Sequence, residues 1–161
     1  MKGVRTLMGA VICGAAAWVF FHLCVIPYRC NLEEKRIEDL TFQAMQSNSM
    51  LSVVRARQNL DELENLKCTN ANFFMIRAAN LRILGRIDES IAMYESALRD
   101  EKRPEIFFQL GMAQLAAARR DAAIDSFAQA LIFQPSLDNE VPAEVRREAL
   151  SKVDQIKATN I

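Results

Sequence analysis

The sequence predicts an all-α chain: a single N-terminal transmembrane helix, then a short α-solenoid of about three helical hairpins, then a C-terminal capping helix. Three observations carry that expectation. Residues 7–26 form a run of 20 residues without a formal charge, residues 71–136 repeat themselves at a spacing of 33, and the stretch after Pro142 is amphipathic at helical period. Neither copy of the repeat shows the period-two alternation of a half-buried strand.

The run LMGAVICGAAAWVFFHLCVI, Leu7 to Ile26, follows a short basic tail at residues 1–6 with Lys2 and Arg5, and precedes Pro27, Tyr28 and Arg29. At about 1.5 Å per helical residue it reaches about 30 Å, the thickness of a bilayer's hydrocarbon core. The rival is a cleaved signal peptide, whose apolar region spans only about 7–15 residues and ends in small residues. Here the run ends in Trp18, Phe20, Phe21 and Leu23, and Phe21-His22-Leu23-Cys24 lacks the small residue that a lipoprotein signal needs before its cysteine. An uncleaved membrane helix is favoured, with the cleaved signal and a buried soluble helix as alternatives. Gly9, Cys13 and Ala17 recur at helical spacing within it. They form either a packing stripe for a second membrane helix or the ordinary small-residue content of such segments. His22, near the exit end, suits the interface better than a ligand role.

The chain as a whole is neutral, with 20 Lys+Arg against 20 Asp+Glu in 161 residues. Residues 1–31 carry +3, which leaves −3 on the remainder, so a basic anchor and a mildly acidic body cancel. No basic excess is present to neutralise nucleic-acid phosphates. Charges flank the apolar run almost evenly, so orientation rests on the shortness of the tail before it. That favours a bacterial inner-membrane anchor with the C-terminal body on the periplasmic side.

Residues 27–36 then serve as a juxtamembrane linker or helix start. Beyond them, ANFFMIRAANLRILGRIDESIAMYESALRDEKR (71–103) lies over PEIFFQLGMAQLAAARRDAAIDSFAQALIFQPS (104–136) without a gap. Phe74 falls over Phe107, Ala78 over Gly111, Tyr94 over Phe127, Ala97 over Ala130 and Leu98 over Leu131. Each copy is two apolar-periodic stretches broken near the middle, by Gly85-Arg86 or by Arg119-Arg120-Asp121, and so predicts a helix-turn-helix pair. Asp88 and Asp121 are placed to start the second helices, and Pro104 to open a first one. Small residues at Ala78, Ala97, Gly111, Ala123 and Ala130 allow close helix crossings, and the aromatics fill the wedges between.

The second copy resembles a tetratricopeptide (TPR) repeat, with Phe107, Leu110-Gly111, Ala123, Phe127, Ala130 and Pro135 at the signature places. The first copy departs from that pattern at Arg77, Ser90 and Lys102, and the second carries Gln114 where a tyrosine is usual. A further step back of 34 residues puts Leu40, Ala44, Ala56, Leu60 and Leu63 at the signature places. Residues 37–70 are therefore expected to be a degenerate TPR-like hairpin, the third unit such an array requires. The final helix, 142–158, presents Val145, Ala149, Val153 and Ile156 as one stripe that caps the stack.

The resemblance implies a scaffold that holds a protein segment in the groove formed by the first helix of each pair. On this chain the groove positions would be Thr41 and Met45, then Asn72, Met75, Ala79 and Arg82, then Glu105, Phe108, Met112 and Leu115. Only Arg82 suits a clamp for a terminal carboxylate, whereas the apolar, Met-containing lining suits an amphipathic helix or is simply core.

No enzyme is expected. One His, no Cys-x-x-Cys pair and no Gly-rich phosphate loop leave no nucleophilic, zinc or nucleotide site to assemble, and the acid pairs Glu33-Glu34 and Asp61-Glu62 read as solvated faces. No cofactor, metal or small-molecule substrate is implied. Cys30 and Cys68 can pair if the body lies in an oxidising compartment. The expected function is a membrane-anchored scaffold or adaptor for protein partners at the membrane surface, supporting an envelope complex. The alternative is an integral accessory subunit of a larger membrane complex, held mainly by its transmembrane helix.

Overall fold

The computed structural model describes residues 17–47, 50–65 and 67–159, and all secondary structure among them is helical. The chain forms α1 (Ile26–Ser47), α2 (Met50–Asn65), α3 (Ala71–Ile83), α4 (Ile87–Asp100), α5 (Pro104–Ala116), α6 (Arg120–Phe133) and α7 (Ala143–Thr159). Each helix packs on its neighbours in the chain, and α1 also lies against α3. The element boundaries of residues 71–136 follow the 33-residue register closely, and the final helix falls within a residue of its expected ends.

No helix among the described residues is long and apolar enough to cross a membrane. Residues 1–16 lie outside the described residues, and with them the basic tail, the first half of the expected span, and Gly9 and Cys13 of the small-residue stripe. Ala17, the third member of that stripe, is exposed.

Residues 27–36, expected as a juxtamembrane linker or a helix start, are helical. Helix runs without a break from residue 17 to residue 47, through a π-helical turn at Phe21–Val25. Proline inside a helix removes one amide donor and crowds the preceding turn. The structure widens the turn just before Pro27, where the Ile26 N–H donates back to the Phe21 carbonyl, five residues earlier. Pro27, whose ring leaves no N–H to donate, directly follows this widened turn.

The turns at the ends of α2, α3 and α5 share one solution. Lys67, Gly85 and Ala118 have φ of 58°, 73° and 57°. After α3, Gly85 N–H reaches the Arg82 carbonyl and Arg86 N–H reaches that of Leu81; after α5, Ala118 and Arg119 N–H reach Leu115 and Gln114. Lys67 and Cys68 do the same onto Glu64 and Leu63. This is the left-handed closure in which two successive N–H groups satisfy two orphan carbonyls, and its left-handed residue favours glycine because a Cβ is crowded there. Only the turn after α3 has one.

Asp88 and Asp121 do not cap α4 and α6 through their side chains. They sit within the first turns, where they complement the helix dipole, and Arg86 and Arg119 occupy the N-cap places.

The core forms three apolar clusters along the stack. Ala56, Leu60 and Leu63 pack with Ile37, Phe73 and Ile76 at the N-terminal end. Ala78, Tyr94 and Ala97 meet Ile106, Leu110 and Ala113 in the middle. Phe127, Ala130 and Leu131 meet Val145, Ala149 and Val153 at the cap. At the α5–α6 crossing, a Cβ on Gly111 would stand 2.9 Å from Phe127 Cε1, so the ring requires glycine below it. At the equivalent crossing of the preceding unit Ala78 stands in the glycine's place, and Ser90, wholly buried, donates to the Ala78 carbonyl at 2.8 Å, which satisfies its hydroxyl. Between α6 and α7 the chain makes a 3-10 turn (Pro135–Glu140) that buries Leu137.

Candidate functional site

The face where α1 lies along α3 carries an open hollow. Its walls are Glu38, Thr41 and Phe42 from α1 and Met75, Ala79 and Arg82 from α3, with Ile76, Tyr94 and Gln109 below and beside them. The lining is mainly apolar. Phe42 is 59% exposed, and Arg82 has no ion-pair partner among the described residues. Burial pushes the Tyr94 phenol up from its usual value, so it is a neutral wall of the hollow at physiological pH. Toward the start of the two helices the hollow continues into a polar stretch with Asn31, Glu34, Lys35 and Asn72.

That polar end is tied together. Cys30 and Cys68 form a disulfide with their Cα atoms 5.6 Å apart, joining α1 to the segment before α3. One turn further along α1, Glu34 is buried and accepts from Asn70 Nδ2 at 2.8 Å. The Asn70 Oδ1 accepts from the Phe73 N–H at 2.9 Å, so the residue that caps α3 also fastens it to α1. Burial raises the Glu34 carboxyl above its ordinary value of 4.5; hydrogen bonds from Asn70 and Asn72 oppose this, and the nearby Glu38 charge adds to it. Arg103, in the loop before α5, donates to Asn72 Oδ1 at 2.7 Å and carries the tie to the next unit.

Of the expected groove positions, the structure brings together Thr41, Met75, Ala79 and Arg82, with Asn72 at the rim. Met45 lies outside the residues whose side chains are described. Phe108, Met112 and Leu115 do not join the hollow. They pack against the C-terminal cluster, with the Phe108 ring edge-on to Phe127 at 5.5 Å, and Glu105 is exposed. Gln109, one residue and about 100° further round the helix, takes the hollow-facing place in α5. Glu38, Phe42 and Gln109 are additions that a helical repeat alone does not single out. The Glu33-Glu34 pair is likewise corrected: Glu33 is half-buried on the outside, whereas Glu34 is an internal hydrogen-bond acceptor.

A second depression lies between α2, α3 and α4, lined by Arg57, Asp61, Arg77, Arg86 and Glu89 over Leu60, Leu81 and Leu84. Its charges largely satisfy one another. Arg86 makes a two-pronged pair with Glu89, and Arg77 pairs with Glu64 and Asp61 while lying 5.7 Å over the Phe73 ring. Arg77, which replaces the usual apolar residue of the repeat, thus bridges the first two units. Among the described residues no group of three or more His, Cys, Asp or Glu side chains is placed to hold a metal ion, and Cys24 is an exposed free thiol.

No family model, no curated protein and no solved structure matches the chain.

Proposed function

We propose that the protein is a membrane-anchored, TPR-like scaffold that binds a protein segment in the α1–α3 hollow and supports the assembly or stability of an envelope complex. The observation that carries this reading is the hollow itself: an open, largely apolar trough with an exposed aromatic at one wall and an unpaired cation at the other. Such a lining suits a short amphipathic helix, whose apolar side chains repack against Met75 and Phe42. Anchoring the scaffold raises its effective concentration for partners in the same membrane.

Two further features support the placement. Trp18, Phe20 and Leu23 are 64%, 62% and 71% exposed on the helix that leads into α1, an apolar surface that lipid accepts and water penalises. The Cys30–Cys68 pairing fits an oxidising compartment, and hence a periplasmic body. The unbroken helix from residue 17 to 47 also favours a second reading. A rigid strut, unlike a flexible tether, suits an integral accessory subunit held through its membrane helix and a packing stripe at Gly9, Cys13 and Ala17. Co-extraction at fixed stoichiometry in mild detergent favours the subunit, and loss of partners on modest dilution favours the adaptor.

The hollow is tested by Phe42→Glu and Arg82→Glu in the full-length protein. Both alter exposed or half-buried side chains, so helical circular dichroism and Tm stay at wild-type values while partner recovery falls several-fold. Recovery at the wild-type level with either variant removes the hollow from the account. Phe108 and Met112 are unsuitable probes, because charges there would unseat the C-terminal core.

A further inference from the structure

We propose that the end of the stack carrying the Cys30–Cys68 disulfide rests in the phospholipid headgroup layer, with Arg29, Lys67 and Lys102 taking lipid phosphates. The proposal rests on the reading of residues 7–26 as a membrane span. It adds a second membrane contact, made by the helical body rather than by the anchor.

Helix continues unbroken from the expected exit of the span at Ile26 into α1, so position along α1 measures distance from the hydrocarbon core. Cys30 lies four residues beyond Ile26, which is about 6 Å along the axis. A headgroup layer is about 5–8 Å thick on each side, and tilting the helix only lowers the height. The disulfide fixes Cys68 at the level of Cys30, with Cα atoms 5.6 Å apart. It therefore places the turn between α2 and α3 at the phosphates. The contact of Arg103 with Asn72 holds the loop between α4 and α5 beside the first turn of α3, at the same end. Tyr28, 69% exposed, supplies the aromatic that such interfaces favour.

At the far end of the stack, Arg86 is paired with Glu89 and Arg119 with Asp88. At the anchor end, Arg29, Lys67 and Lys102 are exposed and have no ion-pair partner among the described residues. The body is acidic as a whole and Arg82 on α3 also lacks an ion-pair partner, but Arg29, Lys67 and Lys102 lie where the helix meets the lipid, and juxtamembrane cations are attracted to phosphate-bearing leaflets.

The test uses the full-length protein in phosphatidylcholine–phosphatidylglycerol nanodiscs doped with a lipid that carries gadolinium on its headgroup. Amide broadening at residues 67–69 and 102–103 is expected to exceed several-fold that at 85–86 and 118–119, which lie about 20 Å away at the other end of the hairpins. The double variant Arg29→Glu, Lys67→Glu lowers the broadening at 67–69 several-fold, and Arg29→Gln, Lys67→Gln lowers it less. Equal broadening at the two ends of wild type, or full broadening in the Glu variant, overturns the proposal. Quenching of Trp18, the single tryptophan, by acyl-brominated lipid reports on the anchor separately. With Trp18 quenched and the two ends alike, the span stands and the headgroup contact falls; with Trp18 unquenched, the span reading falls and the proposal with it.

Discussion

The N-terminal hairpin and the C-terminal pair with its cap solve the same packing problem by different means. Around Phe127 the helices close on a continuous apolar contact: Gly111 lets the ring in, and Val145, Ala149 and Val153 cover the exposed side. Around α1 and α2 the apolar contribution is smaller, and specific ties supplement it. These are the Cys30–Cys68 bond, the Glu34–Asn70 hydrogen bond and the Arg77–Glu64 pair. The N-terminal hairpin thus carries cross-links where the C-terminal pair carries apolar contact. The same cross-links frame the hollow, so the region that holds the candidate site is the one whose stability depends on redox state and pH.

The apolar pole of the molecule is the C-terminal cluster around Phe127. Phe127→Ala is expected to cost about 3–5 kcal/mol, lowering Tm and loosening α5 through α7 in hydrogen exchange. At the other pole, Cys30→Ser removes a cross-link spanning 38 residues, for which chain entropy gives a ceiling of about 4 kcal/mol. Here exchange should rise in residues 26–65 while α6 and α7 keep their protection; loosening of equal size at both ends would abolish the distinction. Gly111→Ala sharpens the packing argument, because the new methyl must displace the Phe127 ring, at about 1–3 kcal/mol. Ala118→Gly is expected to stabilise by about 0.5–1 kcal/mol, since it relieves a left-handed Cβ at a turn where the preceding unit already has glycine.

Glu34 adds a pH dependence confined to the N-terminal half. Burial raises its folded pKa above the ordinary 4.5, so the folded state binds the proton more tightly than the unfolded chain. The associated stability is fully present below the unfolded value and is lost as pH rises through the folded one. Glu34→Gln should flatten this slope and leave Asn70 an oxygen to donate to. A variant with an unchanged slope in denaturant titrations would show that Glu34 is not its source.

Much of this organisation is legible in the sequence, for identifiable reasons. The gapless 33-residue register located four helices and their turns because close crossings demand small residues at fixed places, and Ala78, Gly111, Ala97 and Ala130 hold them. The cap was legible as a stripe. Pro27 was misleading: proline normally marks a boundary, and its absorption by a π turn depends on backbone geometry that residue type does not encode. Glu34 looked solvated because its acceptor role needs Asn70, 36 residues away. The hollow was half legible. Periodicity says which residues share a helix face, but not how far one hairpin rotates over the next, and that rotation places Gln109 rather than Phe108 beside Arg82.

The proposed function requires that a protein partner occupies the α1–α3 hollow in the membrane-bound protein. Photo-crosslinking tests it most directly, with a benzophenone side chain at Ala79, inside the hollow, or at Glu95, exposed on α4. Irradiation in native membranes should give one discrete, heavier adduct from Ala79 and none from Glu95. No adduct from Ala79, or the same adducts from both positions, would contradict the account.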